Sequence, residues 1–145
     1  MNLIPILPQH IVLKYSQSEY PLVWEYIGPE RTHGDMYFDE QFHWYECVED
    51  TESNSLDPNN GMPFGLICIT EKQWLPLSLH LSVLEVYNKK KGYGSKIMRF
   101  LIDFAKSKYK SFTLQPHDSE LVKFYSKFGF KVRYYFKTKI MRLYL

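Results

Sequence analysis

Three lysines and two glycines stand together in one short segment, Lys89-Lys90-Lys91-Gly92-Tyr93-Gly94, and a fourth lysine, Lys96, follows closely. Because glycine has no Cβ, the backbone here can approach an anion closely. The first N–H groups of a helix lack intrahelical partners, and the helix dipole is positive at that end. If a helix begins in this segment, the sequence predicts a phosphate or pyrophosphate site. A helix start with lysines that serve only solubility is the alternative.

Two familiar glycine motifs do not fit this segment. A dinucleotide-binding fingerprint requires a third glycine at the position of Ile97, and a P-loop requires Gly-Lys-Ser/Thr where the chain has Gly94-Ser95-Lys96. These exclusions narrow the kinds of phosphate ligand that the segment could bind, and a plain helix start remains the alternative.

The residues around the segment predict a strand before it and a helix after it. Leu77–Tyr87 alternates apolar and polar residues like a strand, and from Gly92 to Ala105 the apolar residues recur at helical spacing. A second helix is predicted from Asp118 or Ser119 to Phe128, closed by Gly129. Further strands are predicted at His10–Tyr15, Phe42–Val48, Met62–Thr70, Phe112–Leu114, Phe130–Phe136 and Ile140–Leu145, and a further helix at Ser18–Ile27.

This order of elements predicts an α/β fold of the α+β type, a mixed sheet with helices on its faces. The chain has 145 residues, of which 45% are hydrophobic, enough for one domain with its own core. We therefore expect residues 1–145 to form a single domain.

With these elements in place, the sequence resembles the GNAT superfamily of N-acetyltransferases. The family's phosphate loop reads Arg/Gln-x-x-Gly-x-Gly/Ala, and Lys89 replaces its first residue here while keeping a positive charge. A second family signature, Phe-Tyr-x-Lys-x-Gly-Phe, is matched by Phe124–Phe130 at the expected distance. The resemblance covers about residues 77–136.

The resemblance implies a central, mostly antiparallel mixed sheet that is splayed at the coenzyme A site, with helices on both faces. It implies that acetyl-CoA is the cosubstrate, that no metal takes part, and that a primary amine of a small molecule, peptide or protein attacks the thioester directly. Tyr125 matches the general acid, with a buried core aromatic as the alternative. A backbone N–H near Leu84 would stabilise the oxyanion, and Val86 would bind pantetheine.

The resemblance also assigns the remaining cofactor contacts. The residues implied are Lys89, Lys91, Gly92, Tyr93, Gly94, Ser95 and Lys96 at the phosphates, and Asp118 where the family often has Asn. The substitution by Asp leaves a simple helix N-cap as the alternative for Asp118.

The general base is less clearly marked. Ser78, His80 and Ser82 share a strand face with Leu84 because side chains alternate along a strand. Among the three, His80 titrates near neutral pH, so it is the candidate base, with a structural histidine as the alternative. Glu85, on the opposite face, and His43 are further candidates.

The charge distribution bears on the partners. Residues 1–73 carry three basic and twelve acidic residues, whereas residues 74–145 carry fifteen basic and four acidic ones. The basic half suits a polyanion such as a nucleotide, and the acidic half suits a cationic partner. Two solvated faces with no binding role are the alternative. The aromatic and acidic residues that could line an acceptor pocket are Trp24, Glu25, Tyr26, Asp35, Tyr37, Phe38, Asp39, Glu40, Trp44, Tyr45 and Glu46. For each aromatic residue among them, core packing is the alternative to a place in such a pocket.

Other partners and the location follow from simpler features. The apolar runs are too short for a membrane span, so no membrane partner is expected. Two isolated cysteines and no basic leader in the first residues predict a reducing, cytoplasmic setting. A homodimer is left open.

Two other functions remain as alternatives. A CoA-binding relative without catalysis would serve in regulation or interaction, although it would not need Tyr125. A basic nucleic-acid-binding module would use Lys89–Lys91. It would not explain the glycines at the helix start or the Phe124–Phe130 segment, so no nucleic acid is expected.

Overall fold

The computed structural model describes residues 1–7, 10, 42–49, 63–72, 77–87, 92–135 and 138–145. These residues group into two compact units. The first is drawn from Met1–Cys68 and Val83–Gly94, and the second from Ile69–Ser82 and Ser95–Leu145. The helix predicted at Ser18–Ile27 lies outside the described residues, as does the strand predicted at His10–Tyr15 apart from its first residue.

Seven strands and two helices are described. The strands are β1 Asn2–Pro5, β2 Phe42–Val48, β3 Pro63–Lys72, β4 Ser78–Val86, β5 Ser111–Leu114, β6 Lys131–Tyr135 and β7 Thr138–Tyr144, and the helices are α1 Tyr93–Lys106 and α2 Ser119–Ser126. The strands form one sheet in the order β1-β2-β3-β4-β5-β7-β6. The mixed sheet predicted from the sequence is confirmed.

The strand directions explain where α1 is needed. β4 runs parallel to β5, whereas β1 with β2, β5 with β7 and β6 with β7 are antiparallel pairs. Parallel neighbours cannot be joined by a tight turn and require a crossover. Helix α1 lies in that crossover, so a helix N-terminus follows β4 in the chain.

The core of the first unit lies on β2, β3 and β4. It consists of Trp44, Leu66, Cys68 and Val83, and Ile6, Phe42 and Tyr87 pack against it. The first residues of the chain also contribute a strand that the sequence pattern did not predict, because Asn2–Pro5 pairs with β2 from Asn2–Val48 to Pro5–Tyr45. Pro5 is compatible with this position because it ends a strand at the edge of the described sheet.

The core of the second unit is built around α1. The helix buries Ile97, Met98, Leu101, Ile102 and Ala105, the residues that recur at helical spacing in the sequence. Burial of each large apolar side chain contributes about 1.5–3 kcal/mol. Phe112 and Phe130 add an edge-to-face pair with ring centroids 5.4 Å apart. The helix behind the glycine turn is therefore held by packing as well as by its own hydrogen bonds.

Candidate active site

Strand β4 presents two faces of different character. Alternate residues from Leu79 to Glu85 are buried, whereas those from His80 to Val86 are half-buried. Leu84 lies on the half-buried face with His80, as the period of two predicts. The strand can thus contribute side chains to the core from one face and to a ligand from the other.

The pairing between β4 and β5 covers only the first part of β4. The paired residues run from Ser78–Ser111 to Leu81–Leu114, where β5 ends. β4 continues to Val86. Its last residues, with Leu84 and Val86 among them, therefore extend beyond the end of β5.

Gly92 has a backbone conformation that glycine adopts more readily than other residues. Gly92 has φ 74°, in the left-handed region that residues with a Cβ avoid. A Cβ added to Gly92 would have no heavy atom within 4 Å, so the glycine is required by conformation and not by crowding. Helix α1 begins at the next residue, Tyr93. Lys89 and Lys91 of the predicted phosphate site lie outside the described residues, as does Lys90.

The first turn of α1 suits an anion. Gly94 and Ser95 are half-buried and Lys96 is exposed. The turn contains no acidic residue, so no side chain of its own opposes the positive end of the helix dipole.

Phe64 on β3 contacts one residue before and one residue after the three lysines Lys89–Lys91. Its carbonyl oxygen accepts a hydrogen bond of 3.0 Å from the backbone N–H of Tyr87. Its ring stacks on Tyr93, with centroids 4.6 Å apart and planes 24° apart. One buried residue thereby fixes the end of β4 and the beginning of α1, between which the three lysines lie.

Tyr125 lies in α2 and is buried, with 6% of its surface exposed. Its ring makes edge-to-face contacts with Phe124 at 5.1 Å and Phe130 at 6.1 Å between centroids. Burial raises the pKa of Tyr125 to about 12, because a phenolate is poorly solvated there. The phenol therefore keeps its proton at neutral pH, as a proton donor must.

Asp118 is the N-cap of α2. Its Oδ1 accepts a hydrogen bond of 2.8 Å from the backbone N–H of Leu121. The extended backbone of Asp118, at φ −152° and ψ 174°, is usual for such a cap. The cap accounts for this aspartate in the fold, and its contact with a cofactor stays a prediction.

His80 is tied to the neighbouring strand. Its Nδ1 lies 2.8 Å from Oγ1 of Thr113 on β5. Ser78 and Ser111 form the pair two residues earlier on the same face, and their hydroxyl oxygens lie 2.5 Å apart. Glu85, an alternative base, is buried on the other face of β4.

The residues predicted for the acceptor pocket are only partly described. Trp44 is buried in the core of the first unit, so its ring supports the fold. Tyr45 is half-buried, Glu46 is buried, and His43, the third candidate base, is exposed on β2. The remaining aromatic and acidic candidates, from Trp24 to Glu40, lie outside the described residues.

Two residues at the site were not singled out from the sequence. Phe64 could have been suspected as an apolar residue in a strand, but no sequence signal connects it with Tyr93. Thr113 occupies a strand of four residues, and its partner depends on the register between β4 and β5. Neither contact can be read from spacing along the chain.

Two negative findings concern the described part of the chain. No helix there is long and apolar enough to cross a bilayer. No three His, Cys, Asp or Glu side chains there are grouped so that they could hold a metal ion.

Comparison with known proteins gives a consistent result. Residues 15–130 match the acetyltransferase (GNAT) family. No curated protein shows significant similarity to the sequence. Among solved structures, GCN5 of Tetrahymena is similar with a TM-score of 0.65 at 14% identity, covering 99% of this chain and 96% of that one.

Two further similar structures contain the coenzyme. The Bacillus subtilis acetyltransferase in complex with CoA has a TM-score of 0.60 at 17% identity, over 99% of this chain and 98% of that one. A GNAT family acetyltransferase from Elizabethkingia anophelis with acetyl-CoA bound has a TM-score of 0.61 at 14% identity, over 99% and 97%. At such identities these likenesses establish the fold, and the family match over most of the sequence establishes the relationship. The chain belongs to the GNAT family of acetyltransferases.

Proposed function

We propose that this protein transfers the acetyl group of acetyl-CoA to a primary amine by direct attack, within one domain formed by residues 1–145. The family match supports this because it includes residues of both units. The observation that carries the proposal is Gly92, whose left-handed backbone immediately precedes helix α1.

The cofactor's pyrophosphate would bind at the start of α1. The N–H groups of Gly94 and Ser95 would donate to phosphate oxygens, and the helix dipole would favour the charge. Lys89, Lys91 and Lys96 would add full positive charges. The two structures with CoA or acetyl-CoA bound support a coenzyme A ligand as the molecule that such a fold accepts.

The thioester arm would lie along β4 beyond the end of β5. Val86 would contact pantetheine, and the backbone N–H near Leu84 would donate to the carbonyl oxygen as it becomes an oxyanion. The continuation of β4 past Leu81, where its pairing with β5 stops, supports this placement.

In the reaction, the amine nitrogen forms a bond to the thioester carbon, and the carbon–sulfur bond then breaks. The departing thiolate takes the hydroxyl proton of Tyr125, which later regains one from solvent. A phenol with a pKa of about 12 is a weak acid. An apolar environment also raises the proton affinity of the thiolate, which brings donor and acceptor closer in strength.

The amine must lose a proton to attack, since an alkyl ammonium with a pKa near ~10 is mostly charged at neutral pH. We assign this proton to His80, directly or through water. Acidic residues in the first half of the chain support a cationic acceptor, because a negative field attracts it to the site.

Thiol release in the presence of acetyl-CoA and a panel of amines tests the proposal. The panel contains polyamines, amino acids and lysine-containing peptides, and product mass identifies N-acetylation. We expect amine-dependent release of CoA together with a gain of one acetyl group on the amine. Acetyl-CoA binding without transfer to any amine in the panel would favour a non-catalytic CoA-binding protein.

A further inference from the structure

The hydrogen bond between His80 and Thr113 bears on which ring nitrogen of the histidine acts as a base. We propose that Thr113 is a positioning residue that holds neutral His80 with its proton on Nδ1, so that Nε2 is the basic nitrogen. This inference rests on the proposed function, in which His80 receives the proton of the amine.

The hydroxyl group of Thr113 limits which hydrogen bonds it can make. Oγ1 of Thr113 has one proton to donate and can accept through its lone pairs. It donates to the carbonyl oxygen of Leu79 at 3.5 Å, and that carbonyl can only accept. Oγ1 lies 2.8 Å from Nδ1 of His80. The arrangement that uses both contacts directs this proton to Leu79, so that Thr113 accepts from His80 and Nδ1 carries the hydrogen.

The register keeps this geometry in place. His80 and Thr113 are directly paired in the parallel ladder of β4 and β5, next to the pair Leu79 and Phe112. Thr113 has only 2% of its surface exposed, so its hydroxyl has little access to bulk water as an alternative partner. A buried polar group without its partner costs about 1–3 kcal/mol. The fold therefore disfavours rotation of the hydroxyl away from both contacts.

The same arrangement serves both protonation states. When Nε2 takes a proton, Nδ1 still donates to Thr113, and the bond becomes charge-assisted. If Thr113 instead donated to Nδ1, neutral His80 would carry its hydrogen on Nε2 and could not accept there. The charged residue that the register places beside Thr113 on this face, in the described part of the chain, is Arg142 on β7. Lys131 on β6 stands opposite Arg142.

The tautomer is measurable by nitrogen-detected NMR of 15N-histidine-labelled protein. The signals of His80 are identified by their loss in His80→Gln. We expect wild-type protein above the histidine pKa to show a protonated Nδ1 and an unprotonated Nε2. Thr113→Val, which keeps the shape but removes the hydroxyl, should shift His80 towards the Nε2–H form, and Thr113→Ser should restore the wild-type pattern. An Nε2–H tautomer in the wild type would overturn the proposal even if no variant folded.

Kinetics then separate this inference from the function on which it rests. Loss of one neutral hydrogen bond corresponds to about tenfold, so Thr113→Val should lower kcat by about that factor and shift the pH profile, with Thr113→Ser near wild type. Ser111→Ala is the matched control, because it removes a buried hydroxyl from the same strand without touching His80. Full activity in His80→Gln would refute His80 as base. Loss of activity in His80→Gln with an unchanged rate in Thr113→Val would refute the positioning role of Thr113 and leave His80 as the base.

Discussion

The aromatic ring of Phe64 stacks on that of Tyr93, with 4.6 Å between centroids and 24° between planes. The same residue accepts the backbone hydrogen bond of Tyr87 through its carbonyl oxygen. Tyr87 and Tyr93, which stand before and after Lys89–Lys91 in the chain, thus both contact one residue of β3. Held flanking residues should favour anion binding, because less conformational entropy is lost on binding.

Replacement of Phe64 by leucine should weaken cofactor binding. An aromatic pair contributes about 0.5–1.5 kcal/mol beyond its buried area, so we expect the Kd for acetyl-CoA to rise about two- to tenfold. Tyr93→Phe keeps the stacked ring and should keep the wild-type Kd. Calorimetric titration with acetyl-CoA measures both. An equal loss of affinity in Tyr93→Phe would show that the phenol hydroxyl, and not the stack, matters.

Gly92 and Gly129 form a matched pair for testing the glycine turn. Both have positive φ, at 74° and 96°. Alanine at such a position costs about 1–2 kcal/mol, so both Gly92→Ala and Gly129→Ala should lower the free energy of unfolding by about this amount. A Cβ at Gly129 would also lie 3.2 Å from Cδ1 of Leu143, although that side-chain end can move.

The two variants should differ in cofactor binding. Gly92 precedes α1 and belongs to the proposed phosphate site, whereas Gly129 follows α2. We expect the Kd for acetyl-CoA to rise in Gly92→Ala and to stay at the wild-type value in folded Gly129→Ala. Equal Kd values in both variants would remove Gly92 from the phosphate site.

Removal of the Tyr125 hydroxyl should slow the reaction with little effect on acetyl-CoA binding. Loss of a general acid typically costs about 10²–10⁴-fold, so we expect kcat of Tyr125→Phe to fall within this range. Tyr134→Phe, at an exposed tyrosine, is the control. Stopped-flow or steady-state thiol release measures both. A wild-type kcat in Tyr125→Phe would leave Tyr125 as a core aromatic only.

The raised pKa of Tyr125 also predicts how stability depends on pH. Its pKa is about 12 in the folded protein against 10.0 for the unperturbed phenol. The folded state therefore retains a proton that the unfolded state loses, and stability present below pH 10 is lost as the pH rises towards 12. Buried Cys47, with its pKa raised from 9.0 to about 12 by burial, acts in the same direction. Urea titrations at pH 9 and pH 11 should show a smaller decline for Tyr125→Phe than for wild type.

Asp118 tests the difference between a helix cap and a cofactor contact. Loss of an N-cap costs about 0.5–2 kcal/mol, so Asp118→Ala should be destabilised by about that amount, whereas Asp118→Asn keeps a capping side chain and should stay near wild type. Thermal unfolding measures this. If the Kd for acetyl-CoA rises in Asp118→Ala and not in Asp118→Asn after correction for folding, Asp118 also contributes to the cofactor site.

The second half of the fold was predictable because its residues repeat with clear periods. The apolar spacing from Ile97 to Ala105 has one solution, an amphipathic helix, and that helix is α1. Asn2–Pro5 was missed because a strand of four residues that ends in proline has no period of its own. It exists through its pairing with β2.

Local features of the candidate site, such as the glycine before α1, were predictable from neighbouring residues. Contacts that depend on strand pairing or tertiary packing were not. Gly92 was recognisable from its neighbours, because a glycine between a strand and a helix needs no distant contact to explain it. Thr113 and Phe64 act through residues 33 and 29 positions away, at His80 and Tyr93. Such partners are set by strand register and tertiary packing, which no local pattern encodes.

Binding of acetyl-CoA by this chain is tested by a calorimetric titration of the wild-type protein, with ATP titrated separately as a control phosphate ligand. We expect saturable binding of one acetyl-CoA per chain, weaker or absent binding of ATP, and a marked loss of acetyl-CoA affinity in Gly92→Ala. Absence of saturable acetyl-CoA binding to folded wild-type protein would contradict the proposed function.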